Sequence, residues 1–137
     1  LDRDVWVVST LGILFSPDGA VAGEPERATE IADACVRIEQ RMRRVLGSGV
    51  RLALGTDHVH GNMAFEIQIA MRFGVSPRDA LLAATSRGAE AIRVDHVTGS
   101  LVPGKRADLI ALRGNPLEDP TALDRIEVVM QRGRIVP

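Results

Sequence analysis

The sequence predicts an α/β chain, with a parallel strand–helix–strand unit followed by a β-rich tail. Three observations carry this. Two short apolar runs, DVWVVSTL at Asp4–Leu11 and VRLAL at Val50–Leu54, flank a segment of helical periodicity. In that segment Ala28, Ile31, Ala32, Cys35, Ile38, Met42 and Val45 recur at steps of three and four, the stripe of an amphipathic helix. From Thr98 onward the texture changes to Gly and Pro turns between alternating runs.

Asp4–Leu11 is β-branched and apolar on both faces, as in a strand buried on both sides of a parallel sheet. FSPDGAVAGEP follows as a loop punctuated by Pro17, Gly19, Gly23 and Pro25. A helix is expected over Pro25–Leu46. Pro25, Glu24 and Glu26 suit its positive end, Arg43 and Arg44 its negative end, and Gly47 stops it. Cys35 falls on its apolar stripe and is expected as a buried structural thiol. Val50–Leu54 is then a second buried strand. Strand, helix and strand over roughly fifty residues read as one parallel unit. Its carboxyl end delivers Gly55, Thr56 and Asp57, at the end where parallel α/β folds gather their loops.

A second helix is expected from Asn62, as cap, to Phe73, with Gly74 as stop. Met63, Phe65, Ile67, Ile69, Met71 and Phe73 read as core. Glu66 either braces the preceding loop or is a surface charge. VSPRDALLAAT opens another helix, with Ser76 as N-cap, Pro77 at the first position and Asp79 in the first turn. It runs to about Ile92, with Gly88 as the expected break. In the tail, Pro103-Gly104 makes a turn and Ala107–Leu112 a strand. NPLEDP is a loop, and IEVVMQRGRIV a hairpin turning at Arg132-Gly133. The expected division is therefore 1–93 and 94–137.

Composition narrows the partners. Basic and acidic residues nearly cancel, 17 against 18, and no basic tract or aromatic platform argues for nucleic acid. No apolar run reaches about 18 residues, so no membrane span is expected. One cysteine excludes an internal disulfide and fits a reducing compartment, so the expected location is cytoplasmic. The chain starts at Leu1 with neither an initiator Met nor a signal-peptide pattern, as expected of a piece of a longer or processed polypeptide.

The chemistry-bearing stretch is GVRLALGTDHVHGN, Gly49–Asn62. A carboxylate and two imidazoles follow a buried strand. The triplet Gly55-Thr56-Asp57 alone suits either a turn residue or a rigidly held carboxylate. His58 and His60 share the His-x-His spacing of metal ligands on a strand. Each also suits a solvated loop, and His96 reads as a surface residue.

GVRLALGTD, then HGN, FGVSPRDALLAATSRGAEAI, TGSLVPGKRADLIALRGNPLED and VVMQRGRIV together resemble the C-terminal part of a metal-dependent amidohydrolase. Within that superfamily they are most similar to the imidazolonepropionase and Xaa-Pro dipeptidase, or prolidase-like, branch. GSLVPGKRADLIAL followed by GNPLED is the most specific piece. The resemblance implies the last two strands and helices of a (β/α)8 barrel, plus C-terminal strands of a small β-sandwich. It places Asp57 at the family's aspartate on the last barrel strand, as metal ligand and proton shuttle. His60-Gly61 matches a loop His-Gly, implying a pocket or substrate contact. His58 departs from the pattern, which has a small residue there; any substrate contact it makes is a weaker expectation. Ser9 and Thr56 are expected to support the site, and Lys105 and Asp108 to fix a turn.

The chemistry makes sense of that placement. Amide hydrolysis at neutral pH needs hydroxide, and a divalent metal supplies it by lowering the pKa of water to about 7. Zinc is the expected ion, with manganese, iron and cobalt also compatible. A barrel needs about 250 residues, and the family's remaining ligands come from strands this chain does not contain. The expected partners are thus the missing N-terminal portion, in the same or a separate chain, and a small amide or dipeptide substrate. A homo-oligomer is a further partner the reading admits. The chain alone is expected to be inactive. The alternative is a non-catalytic oligomerisation or binding module derived from an amidohydrolase.

Overall fold

The structure, a computed structural model, describes residues 5–15, 28–57 and 62–137. Its first sheet has two strands, β1 (Trp6–Ser9) and β2 (Arg51–Leu54), paired in parallel from Trp6↔Arg51 to Ser9↔Leu54. The Gly55 N–H continues the ladder, donating to the Ser9 carbonyl at 2.8 Å. Between the strands lie α1 (Gly12–Phe15) and α2 (Ala28–Leu46). After them come α3 (Met63–Arg72), α4 (Pro77–Ala84) and α5 (Ser86–Ala91). The second sheet is antiparallel, in the order β3 (Leu109–Leu112), β4 (Ile126–Gln131), β5 (Arg134–Val136). The expected α/β part and β-rich tail are both present.

The core explains how they are joined. Leu52 and Leu54 project from one face of β2 and pack with Ile67, Ala70, Ala80 and Ala83 of α3 and α4. Leu123, from the 3₁₀ turn Pro120–Asp124, completes the same cluster. Gln68 on α3 reinforces the contact, its Nε2 donating to Asp124 Oδ2 at 3.1 Å. The segments 1–93 and 94–137 therefore share one core across the expected division. A second cluster joins Leu11, Ile69 and Phe73, with Ile38, Met42 and Leu46 of α2 packed on it.

Several expectations need correction. Val8, paired with Ala53 on the face opposite Leu52 and Leu54, is 56% exposed, so β1 is not buried on both sides. Cys35 is half-buried rather than buried. Of the described side chains of α2, Ile38, Met42 and Leu46 pack on the core. Gly12–Phe15 forms a helical turn that the apolar run disguised. Asn62 holds the cap position of α3, but its side chain makes no capping bond. The helix after Ser76 breaks at Thr85 (φ −124°, ψ −99°), three residues before Gly88. The threonine hydroxyl there turns back to the Leu81 carbonyl at 2.7 Å. Strand β3 begins at Leu109, not Ala107.

The local signals that succeeded have visible causes. Ser76 Oγ accepts the Asp79 N–H at 3.1 Å, with Pro77 at the first helical position. Arg132 and Gly133 both take positive φ, 52° and 76°, as a two-residue hairpin with right-handed strand twist requires. Asp108 ties the tail together, accepting the Arg132 N–H at 2.7 Å and the Thr98 hydroxyl at 3.0 Å. Lys105 Nζ donates to Ser100 Oγ at 2.7 Å. These contacts are architectural, as expected for both residues.

The acid dependence of stability follows from three aspartates. A hydrogen bond from Arg125 is the main cause holding Asp119 down at about 2, against an ordinary 3.8. The Arg132 N–H lowers Asp108, and the Ser76 hydroxyl lowers Asp79. A depressed folded value means the stabilisation is present above 3.8 and lost as pH falls through the folded value. The contribution of these three groups to the urea midpoint should therefore decline between about pH 4 and 2. Asp119→Asn should flatten that decline; an unchanged profile in this variant would refute the assignment.

Candidate active site

Two chain segments leave the first sheet at its carboxyl end. Gly55, Thr56 and Asp57 follow β2, and Thr10, Leu11 and Gly12 follow β1. Parallel pairing places both exits at one end. The Thr10 methyl lies 3.4 Å from where a Cβ on Gly55 would stand, so the two exits run side by side. Asp57 adopts a left-handed backbone conformation with φ 57°, which aspartate tolerates better than most side chains. It is exposed. Ser9 is buried and Thr56 half-buried.

The residue that sequence reasoning left undecided is Glu66. It is 1% exposed, and its carboxylate accepts two successive backbone N–H groups. Leu11 donates to Oε2 at 3.1 Å, and Gly12 donates to Oε1. Burial raises its pKa above the ordinary 4.5, against the lowering effect of the Gly12 and Leu11 N–H groups. Gly12 is required by this contact, since a Cβ there would stand 2.6 Å from Oε1. The sequence does hold a signal. Glu66 lies three residues after Met63 and four before Ala70, both packed in the core, so a charge occupies a stripe position.

The other expected residues separate. His58 and His60 lie outside the described residues. His96 is exposed in the turn after α5, as expected. Among the described residues no three His, Cys, Asp or Glu side chains converge on a point that could hold a metal ion. Of the residues that follow the two strands, Asp57 brings a carboxylate that a divalent cation could take as a ligand. Its carboxylate chemistry fits a single position in such a site and leaves the others to groups outside the described residues. No helix among the described residues is long and apolar enough to cross a membrane.

Comparison with known proteins gives the following. The amidohydrolase family profile matches residues 28–136. The ochratoxinase of Aspergillus niger is 33% identical over 135 residues, covering 86% of this chain and 28% of that protein. The imidazolonepropionase of Geobacillus kaustophilus (strain HTA426) is 37% identical over 111 residues, covering 72% of this chain and 24% of that protein. A crystal structure of a Xaa-Pro dipeptidase with bound methionine in the active site superposes with a TM-score of 0.82 at 29% identity. The match covers 96% of this chain and 34% of that one. The chain thus spans about a third or less of the proteins it matches.

Proposed function

The chain belongs to the amidohydrolase family, and on that premise we propose that it is the C-terminal part of a metal-dependent hydrolase of amide C–N bonds, with Asp57 as its catalytic contribution. The observation carrying this reading is the position of Asp57, directly after a strand in parallel register with β1 and beside the exit of β1. Val8, on the face opposite Leu52 and Leu54, is 56% exposed, so that side of β1 is uncovered. That face is the one a closed barrel would turn inward, where further strands would supply the remaining donors.

A divalent metal, zinc by the proposed donor chemistry, would supply an attacking water of lowered pKa. Asp57 would hold that metal and, through its carboxylate, would take the attacking water's proton as the carbon–oxygen bond forms and pass it to the leaving nitrogen as the carbon–nitrogen bond breaks. His60, and less strongly His58, would contact substrate from the loop after Asp57. The relatives' names span a dipeptidase, an ochratoxinase and an imidazolonepropionase, so the substrate is proposed only as a small amide, an Xaa-Pro dipeptide being the first to test.

The test is complementation. The chain is mixed with, or fused to, a segment equivalent to the other two thirds of the Xaa-Pro dipeptidase. Hydrolysis of an Xaa-Pro dipeptide should appear, disappear with a chelator and return with Zn²⁺, while the chain alone stays inactive. Chelator-resistant hydrolysis, or none after complementation, would refute the reading.

The second reading, a non-catalytic binding or oligomerisation module, has an observation of its own. An apolar groove runs between α5 and β3, and Ile92, Leu101 and Ile110 beside it are 71%, 74% and 49% exposed. Light scattering showing a stable oligomer that holds no metal and gains no activity on complementation would favour it.

A further inference from the structure

We propose that Glu66 is the positioning residue of this site, holding the exit of β1 in fixed register against the helix that follows Asp57; the inference rests on the proposed hydrolase function. Three observations converge on it. The carboxylate is buried and accepts the N–H groups of Leu11 and Gly12, the second and third residues past the end of β1. Gly12 lacks the Cβ that would occupy the carboxylate's space, so the two positions form a matched pair. And α3, which carries Glu66, starts shortly after Asp57, so the bond runs from the segment behind one strand exit to the backbone of the other.

The choice of side chain argues against a role in packing alone. Position 66 lies on the apolar stripe between Met63 and Ala70, where leucine or methionine would fill the space with no charge to desolvate. A buried carboxylate is costly unless hydrogen bonds compensate it, and this one spends both oxygens on backbone donors. Two bonds from one rigid group to consecutive amides fix a loop in distance and in orientation. That is what a strand exit beside a reacting centre requires, since a displacement of about 1 Å there can cost on the order of 10²-fold in rate.

The test uses the full chain and its complemented assembly. In the full chain, the Leu11 and Gly12 amide protons should be protected from hydrogen exchange, and Glu66→Gln should expose them and shift the Asp57 amide resonance. In the complemented assembly, Glu66→Gln and Gly12→Ala should each lower kcat for an Xaa-Pro dipeptide on the order of 10²-fold, with KM within about twofold. The pair Gly12→Ala with Glu66→Asp, in which the shorter acid makes room for the new methyl, should recover part of the loss. Unprotected amides in the wild-type chain overturn the proposal. So does either variant if it keeps wild-type kcat or is lost to unfolding, because the carboxylate then serves the fold only. A wild-type complemented assembly without hydrolysis refutes the hydrolase reading, while the exchange pattern at Leu11 and Gly12 in the full chain stands or falls independently.

Discussion

Asp57→Asn is expected to reduce hydrolysis by the complemented assembly at least about 10³-fold in kcat, general acid–base transfer alone accounting for roughly 10²–10⁴. Asparagine is the informative replacement. It keeps the shape of the side chain and one oxygen, and it tolerates the left-handed backbone (φ 57°) that position 57 adopts. What it loses is the charge and the capacity to take a proton from water and return it to a leaving nitrogen. Because Asp57 is exposed and lies beyond the last residue of β2, the fold should be indifferent to the change. Circular dichroism and the urea midpoint should match the wild type within about 0.5 kcal/mol, as for surface substitutions generally. Metal titration then divides the two roles given to Asp57. If excess Zn²⁺ restores the rate, the lost term was ligation; if metal binds and the rate stays low, it was proton transfer. An undiminished rate without added metal would remove Asp57 from the mechanism.

The parts of this architecture legible in the sequence were those governed by local chemistry. The Ser76 cap, the Gly74 stop and the Arg132-Gly133 turn each depend on a few neighbouring atoms, and each is found where the residue types place it. The strand-end position of Asp57 was legible for a related reason. A short apolar run followed by Gly-Thr-Asp has few ways to continue, and a second apolar run, Asp4–Leu11, stands ready to pair with it. The failures are all matters of tertiary context. Val8 and Cys35 carry the hydrophobicity of buried residues, but their burial depends on what covers a sheet face and a helix stripe. Leu123 lies between the NPLEDP loop and the hairpin, in a stretch with no signal of its own, yet it is 5% exposed in the main core, because a 3₁₀ turn carries it onto α3. Glu66 is the sharpest case. Its stripe position was visible, but the two amides that justify a charge there lie more than fifty residues upstream, in a helical turn with no recognisable start signal.

Phe73→Ala is expected to cost about 3–5 kcal/mol of unfolding free energy, the usual range for emptying a buried aromatic site. Phe73 closes α3 and is 2% exposed, the largest fully buried side chain described in the chain. Its ring meets that of Phe15 edge-on, with centroids 5.3 Å apart and planes at 79°. Leu11 and Ile69 complete the cluster, and Ile38, Met42 and Leu46 lie over it. Truncation would thus strip contacts from the exit of β1, α2 and α3 together, leaving a void that no single element can collapse to fill. Against a domain stability of about 5–15 kcal/mol, this is a large fraction, and Tm should fall by more than about 10 °C. The Arg43 guanidinium also lies over the ring, 5.8 Å from its centroid, but that side chain is 47% exposed. Arg43→Ala should therefore cost no more than about 1 kcal/mol, as exposed cation–π contacts do. The contrast is the test. If the two substitutions prove equally mild in urea unfolding, the cluster is not what holds α1 and α3 together. If Phe73→Ala is severe, it should also expose the Leu11 and Gly12 amides to exchange, because the aromatic pair anchors the same helical turn that Glu66 caps.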